Sequence, residues 1–127
     1  MILIDSSGWV EFFAEGPLAG QYAKFLRDLP EVVTPTIVMY EVFKRIKRDL
    51  GEDAGLIAVA AMQKTQVVPL DQTLALSAAE LSLTHRLAMA DAIVLATARS
   101  QHAVLVTSDD DFAGIDGVTL LSKKKLP

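Results

Sequence analysis

The chain has 127 residues, a formal net charge of −4, 51% hydrophobic residues and no cysteine. That length suits one domain with a proper core, the missing cysteines exclude disulfides and thiolate metal centres, and no apolar run approaches the roughly 20 residues that cross a bilayer. The acidic balance argues against a protein that coats nucleic acid through its phosphates, but not against an enzyme whose carboxylates are matched by divalent cations, because a bound ion reverses the local field.

Residues 2–4 form an apolar run that predicts a buried strand ending at Asp5. The run is broken there and no basic segment precedes it, so no signal peptide is read and a cytoplasmic protein is expected. Ser6 and Ser7 are good capping residues, and Trp9, Val10, Phe12 and Phe13 predict a short helix. After Gly16-Pro17, a helix from Pro17 to about Leu29 would place Leu18, Tyr22, Phe25, Leu26 and Leu29 on one face. Val32-Val33 predicts a second strand. Thr34-Pro35 reads as a cap and first-turn proline for a helix reaching Leu50, with Val38, Val42 and Ile46 on its apolar side and Glu41 among them.

Gly51 ends that helix, and another from Glu52 to about Lys64 brings Leu56, Ile57, Val59, Ala60 and Met62. Gln66 to Leu70 predicts a third strand, and Asp71 caps a helix through Leu74, Leu76, Leu81 and Leu83. His85-Arg86-Leu87 connects to a helix that holds Asp91 and runs to about Gln101. Ala103 to Val106 predicts a fourth strand with Thr107 to Asp111 leaving its end, and Val118 to Leu121 a fifth. The tail with Lys123, Lys124 and Lys125 is expected to be mobile. Strands alternating with helices predict a single α/β domain over residues 1–127, with a short, mostly parallel sheet of about five strands.

Four acids sit beside core-forming residues: Asp5, Glu41, Asp91 and Asp109. Burying an ionised carboxylate costs several kcal/mol or more unless something compensates it. In open parallel sheets the ligand crevice lies beyond the carboxyl ends of the strands. Asp5 and Asp109 each follow a strand, Asp91 begins a helix at that edge, and Glu41 is long enough to reach it, so the four are expected to converge. Together they cannot all stay ionised without a cation. Oxygen ligation without cysteine points to Mg²⁺, with Mn²⁺ as a substitute, and such an ion activates water and stabilises charge in phosphodiester hydrolysis.

A plainer reading stands beside each acid. Asp5 fits an N-cap for the Ser6 helix, Asp91 a favourable charge at a helix dipole, Glu41 a solvent-facing residue paired with Lys44 or Arg45, and Thr107 to Asp111 an acidic loop. Asp71 is read as structural, His85 and His102 as solvated, and Trp9 and the phenylalanines as core. A haloacid-dehalogenase-like phosphatase wants a second Asp two residues after the first, where this chain has Ser7.

The same residues carry a family resemblance. Ile-Asp5-Ser-Ser, Tyr-Glu41, Ala-Asp91-Ala-Ile-Val-Leu-Ala-Thr-Ala and Leu-Val-Thr107-Ser-Asp109-Asp-Asp111-Phe112 occur in the order and spacing of a PIN-domain protein, and the chain resembles a VapC-type toxin ribonuclease of a toxin–antitoxin pair. The resemblance implies a three-layer α/β/α fold and a Mg²⁺ pocket of Asp5, Glu41, Asp91 and Asp109 that cleaves RNA. Asp5 and Asp91 match the family's metal ligands best, and Asp110 and Asp111 leave the fourth position open between Asp109 and Asp111. Ser6 and Thr107 fall at small polar positions where a hydroxyl orients a carboxylate or a water. The resemblance also implies a homodimer and a small antitoxin whose basic side chain enters the groove. Lys44, Arg45, Lys47 and Arg48 suit an RNA-facing or antitoxin-facing rim, or equally a solvated helix face. The alternative of another class is a catalytically inactive PIN-fold binding module whose acidic pocket receives a partner's arginine.

Overall fold

In the computed structural model, which describes residues 1–122, five strands form one sheet: β1 (Ile2–Ile4), β2 (Val32–Pro35), β3 (Gln66–Val68), β4 (Val104–Thr107) and β5 (Val118–Leu120). All neighbours pair in parallel, in the order β3-β2-β1-β4-β5. The central strands read as unbroken apolar runs because helices cover both their faces. Leu3, Ile4, Val32, Val33, Leu105 and Val106 are fully buried, each contributing about 1.5–3 kcal/mol of transfer free energy. The edge strand β3 exposes Gln66 and Val67 instead.

Six helices complete three layers: α1 (Ser6–Phe13), α2 (Ala19–Phe25), α3 (Thr36–Leu50), α4 (Glu52–Met62), α5 (Gln72–His85) and α6 (Met89–Ser100). The chain steps outward from β1 to β2 to β3, then returns across the sheet to β4. Right-handed crossovers in opposite directions put the first four helices and the last two on opposite faces. The reversal makes the gap between β1 and β4 a topological switch point, where the crevice of such sheets opens. Ile4 pairs with Val106 there, so the residues that follow these two strands leave the sheet side by side.

Gly8 lets α1 sit tightly against the sheet. A Cβ at that position would lie 2.5 Å from the Tyr22 ring and 2.6 Å from the Ile4 side chain. Asp71 caps α5, its Oδ1 accepting the Leu74 N–H at 2.8 Å, so that acid is structural as the sequence suggests. Trp9 and Phe112 are core residues, and Trp9 stacks on the half-buried Phe13 at 6.0 Å between ring centroids.

Some boundaries differ from those expected. The second helix runs only from Ala19 to Phe25, and Leu29–Glu31 forms a 3-10 turn with Pro30 at its start. Thr34 and Pro35 complete β2: Pro35 pairs with Val68, and the Thr34 hydroxyl accepts from Thr65 at 2.6 Å and does not cap α3. Thr107 belongs to β4, opposite Leu120. Leu56, Ile57, Leu76 and Leu83 face water, Leu83 with 81% of its surface exposed. A helix on a sheet buries one stripe; in α5 that stripe is Leu74 and Ala78, and Leu76 points away from it. Lys123, Lys124 and Lys125 lie outside the described residues. Among the described residues no helix is long and apolar enough to cross a membrane.

Candidate active site

Asp5 follows β1 and caps α1. Its Oδ1 accepts the Gly8 N–H at 3.0 Å, and its Oδ2 accepts the Thr107 hydroxyl at 2.5 Å. Only 6% of the residue is exposed. Burial pushes its carboxyl above the ordinary carboxylate range, the bonds from Thr107 and Gly8 pull it back, and the charges of Asp109 and Glu41 push it up again. The capping role and the buried-acid role therefore belong to the same side chain, one oxygen serving each element.

Thr107 joins the two central strands at this edge. While its hydroxyl donates to Asp5, the same oxygen accepts the Asp109 N–H at 3.0 Å. Asp109 in turn caps a 3-10 turn of Asp110–Phe112, its Oδ1 accepting the Asp111 N–H at 2.9 Å. Phe112 is fully buried, and this anchor fixes the turn so that Asp109 and Asp111 look toward α6. Asp110 is exposed and is not among the charges that act on Asp91.

Asp91 is the third residue of α6 and half-buried, on a helix whose next seven residues are all buried. Burial pushes its carboxyl up to about 6, helped by the charges of Asp109, Asp111, Asp5 and Glu41 in that order. One carboxylate thus feels four others drawn from three different parts of the chain. Carboxylate oxygens of Asp91, Asp109 and Asp111 lie within 4.8 Å of one another.

Glu41 projects from the second turn of α3, between the buried Val38 and Val42. Its charge acts on both Asp5 and Asp91, and among the described residues it forms no ion pair with Lys44 or Arg45. All four acids singled out in the sequence therefore meet in one electrostatic neighbourhood, and Asp111 joins Asp109 in it. The donor set is all oxygen, its acids repel one another, and three of them are spaced to share an ion; this arrangement fits a hard divalent cation.

Two further side chains border the cluster. The Tyr22 hydroxyl donates to the Ser108 Oγ at 3.3 Å, and burial pushes the phenol up to about 12. In the sequence Tyr22 reads as one more apolar residue on a helix face; the hydroxyl's partner is 86 positions away and leaves no local signal.

A PIN domain family model matches residues 2–118. Among solved structures, the chain is similar to one in a toxin–antitoxin complex from Klebsiella pneumoniae, with a TM-score of 0.83 and 24% identity, covering 99% of this chain and 100% of that one. It is similar to VapC20 of Mycobacterium tuberculosis, a sarcin–ricin loop cleaving toxin, with a TM-score of 0.71 and 22% identity over 82% of this chain and 85% of that one. A chain of VapBC2 from Rickettsia felis, bound to a DNA fragment from their promoter, gives a TM-score of 0.74 at 15% identity over 96% and 98%. No curated protein matches the chain. Identities this low speak for the fold alone, while the family model spans the sheet from β1 into β5: the chain belongs to the PIN domain family.

Proposed function

We propose that the protein is a VapC-type, Mg²⁺-dependent endoribonuclease, the toxin of a toxin–antitoxin pair, acting in the cytoplasm on single-stranded or structured RNA. The observation that supports this reading is that Asp5, Glu41, Asp109 and Asp111 all act on the charge of Asp91, and that Asp91, Asp109 and Asp111 are spaced to share an ion. Asp91, Asp109 and Asp111 would hold the ion, with Asp5 and Glu41 completing its surroundings. When bound, Mg²⁺ supplies charge neutralisation at the attacked phosphate and makes water easier to deprotonate. Thr107 and the Gly8 N–H fix the Asp5 carboxylate, one on each oxygen, and the buried Phe112 anchors the turn that carries Asp109 and Asp111. Manganese would substitute, since it accepts the same oxygen ligands.

A small antitoxin protein as partner is supported by the similar solved chains from toxin–antitoxin complexes. Unpaired carboxylates would receive a basic side chain from such a partner. A homodimer is implied by the family reading, and Leu56 and Ile57 of α4 offer exposed apolar surface that a second copy would remove from water. In the second reading the fold is a binding module without turnover, and the unneutralised acids serve only to capture a partner's arginine.

Cleavage of labelled single-stranded RNA, with Mg²⁺ or with a chelator, separates the readings. The expected result is metal-dependent cutting that Asp5→Asn abolishes, with the variant's circular dichroism unchanged. Equal cutting by the variant, or by the wild type in chelator, would assign the activity to a contaminant and refute the enzyme reading.

A further inference from the structure

Helix α3 carries cations on the turn after Glu41, and they are not equivalent. Lys47 Nζ pairs with Glu52 at 2.8 Å, and Arg48 Nε with Asp49 at 2.8 Å. Lys44 and Arg45 form no ion pair among the described residues. Arg45 borders two adjoining hollows. One, of about 250 Å³, lies among Tyr40, Glu41, Lys44 and Arg48. The other, of about 230 Å³, lies among Ser7, Glu11 and Ser108, beside Asp5 and Asp109 in the chain. Arg45 therefore lines both hollows, one of them shared with Glu41 and the other with the chain neighbours of Asp5 and Asp109.

Tyr40 is exposed over 62% of its surface, one residue before Glu41. Its ring is steadied by Lys44, whose Nζ lies 5.5 Å from the ring centroid and donates to the hydroxyl at 3.5 Å. An aromatic ring left in water loses the transfer free energy that burial would give it. A protein of net charge −4 also repels a polyanion from a pocket of five carboxylates unless a local cation leads the backbone in. Exposed rings that stack bases, set beside cations that hold phosphates, are the means by which single-stranded nucleic acid is bound. An acidic peptide would use the cations and have no use for the ring.

Resting on the ribonuclease reading above, we propose that Tyr40 and Arg45 form a subsite for single-stranded RNA, with a base stacked on Tyr40 and a phosphate held by Arg45. The subsite delivers the strand to the acid cluster and takes no part in the chemistry. Both side chains are exposed, so their loss leaves the core intact.

The test is the affinity of a short labelled single-stranded RNA for protein carrying Asp91→Asn, which keeps the RNA uncut, across a series of salt concentrations. Adding Tyr40→Ala should weaken binding roughly tenfold, and Tyr40→Phe should restore it. Adding Arg45→Ala should lower the slope of log affinity against log salt by about 0.7, one phosphate contact on a single strand. Lys64→Ala, near the start of β3 at the opposite sheet edge, should change neither. With Asp91 intact, Tyr40→Ala and Arg45→Ala should raise KM and hold kcat, as loss of uniform binding does. Unchanged affinity and salt slope in both variants would overturn the subsite, as would variants that lose affinity for an acidic partner protein while binding RNA normally. A wild-type protein that cuts no RNA would defeat the ribonuclease reading by itself, and the binding series would still decide the subsite.

Discussion

Replacing Asp91 by asparagine should make the metal-free protein more stable. In the folded chain this carboxyl is raised from an ordinary 3.8 to about 6, so folding favours its protonated form. The folded state keeps the proton up to about pH 6, the unfolded chain releases it near 3.8, and stability falls as pH rises through that window. At about 1.4 kcal/mol per unit the full shift corresponds to about 3 kcal/mol. Asp91 is only half-buried, and water screens the repulsion it feels, which brings the expected penalty above pH 7 to about 1–2 kcal/mol. Asparagine has nearly the same shape and carries no charge. Urea unfolding in chelator at pH 8 should therefore place Asp91→Asn above the wild type by that amount, and the two should draw together as pH falls to about 3, below the 3.8 of the unfolded chain, where the wild-type carboxyl is mostly protonated in both states. Saturating Mg²⁺ should reverse the order, because an ion held at 100 times its Kd adds about 2.7 kcal/mol to the wild type alone. A variant no more stable than wild type at pH 8, or one with the same advantage at both pH values, would refute the claim that crowded, buried charge strains this site.

Thr107→Val keeps the volume of a fully buried residue but removes the hydroxyl that Asp5 and the Asp109 N–H share; metal affinity measured by titration calorimetry should fall about tenfold or more, while Thr107→Ser should keep most of it. Gly8→Ala drives a methyl against Tyr22 and Ile4 and should cost about 1–3 kcal/mol in urea unfolding. Asp71→Ala removes only the cap of α5; it should cost about 1 kcal/mol and leave RNA cleavage unchanged in the same assay that Asp5→Asn abolishes.

The sheet was legible in the sequence because its three central strands are buried on both faces and their residues form unbroken apolar runs. Asp5 and Asp91 were legible for the converse reason: each is a charge where the surroundings are apolar. The three aspartates 109 to 111 could not be separated in the sequence, since the 3-10 turn and its Phe112 anchor bring Asp109 and Asp111 to Asp91 and leave Asp110 in water. Thr34-Pro35 carries the same local signal whether the proline opens a helix or closes a strand, and pairing with Val68 decided it. The exposure of Leu76 and Leu83 follows from how α5 is rotated on its neighbours, which composition does not encode. Arg45 looked interchangeable with Lys47 until the ion pair to Glu52 set them apart.

The position of β4 beside β1 governs when, during synthesis, the carboxylates can assemble. Asp5, Glu41 and Asp91 are made before β4, but β1 lacks its neighbour on that side until residues 104–107 are made, and Asp109 and Asp111 follow them. Thr107, which fastens Asp5 in place, arrives in the same late segment. The acid cluster therefore cannot close until β4 and the turn after it have been made and have paired with β1.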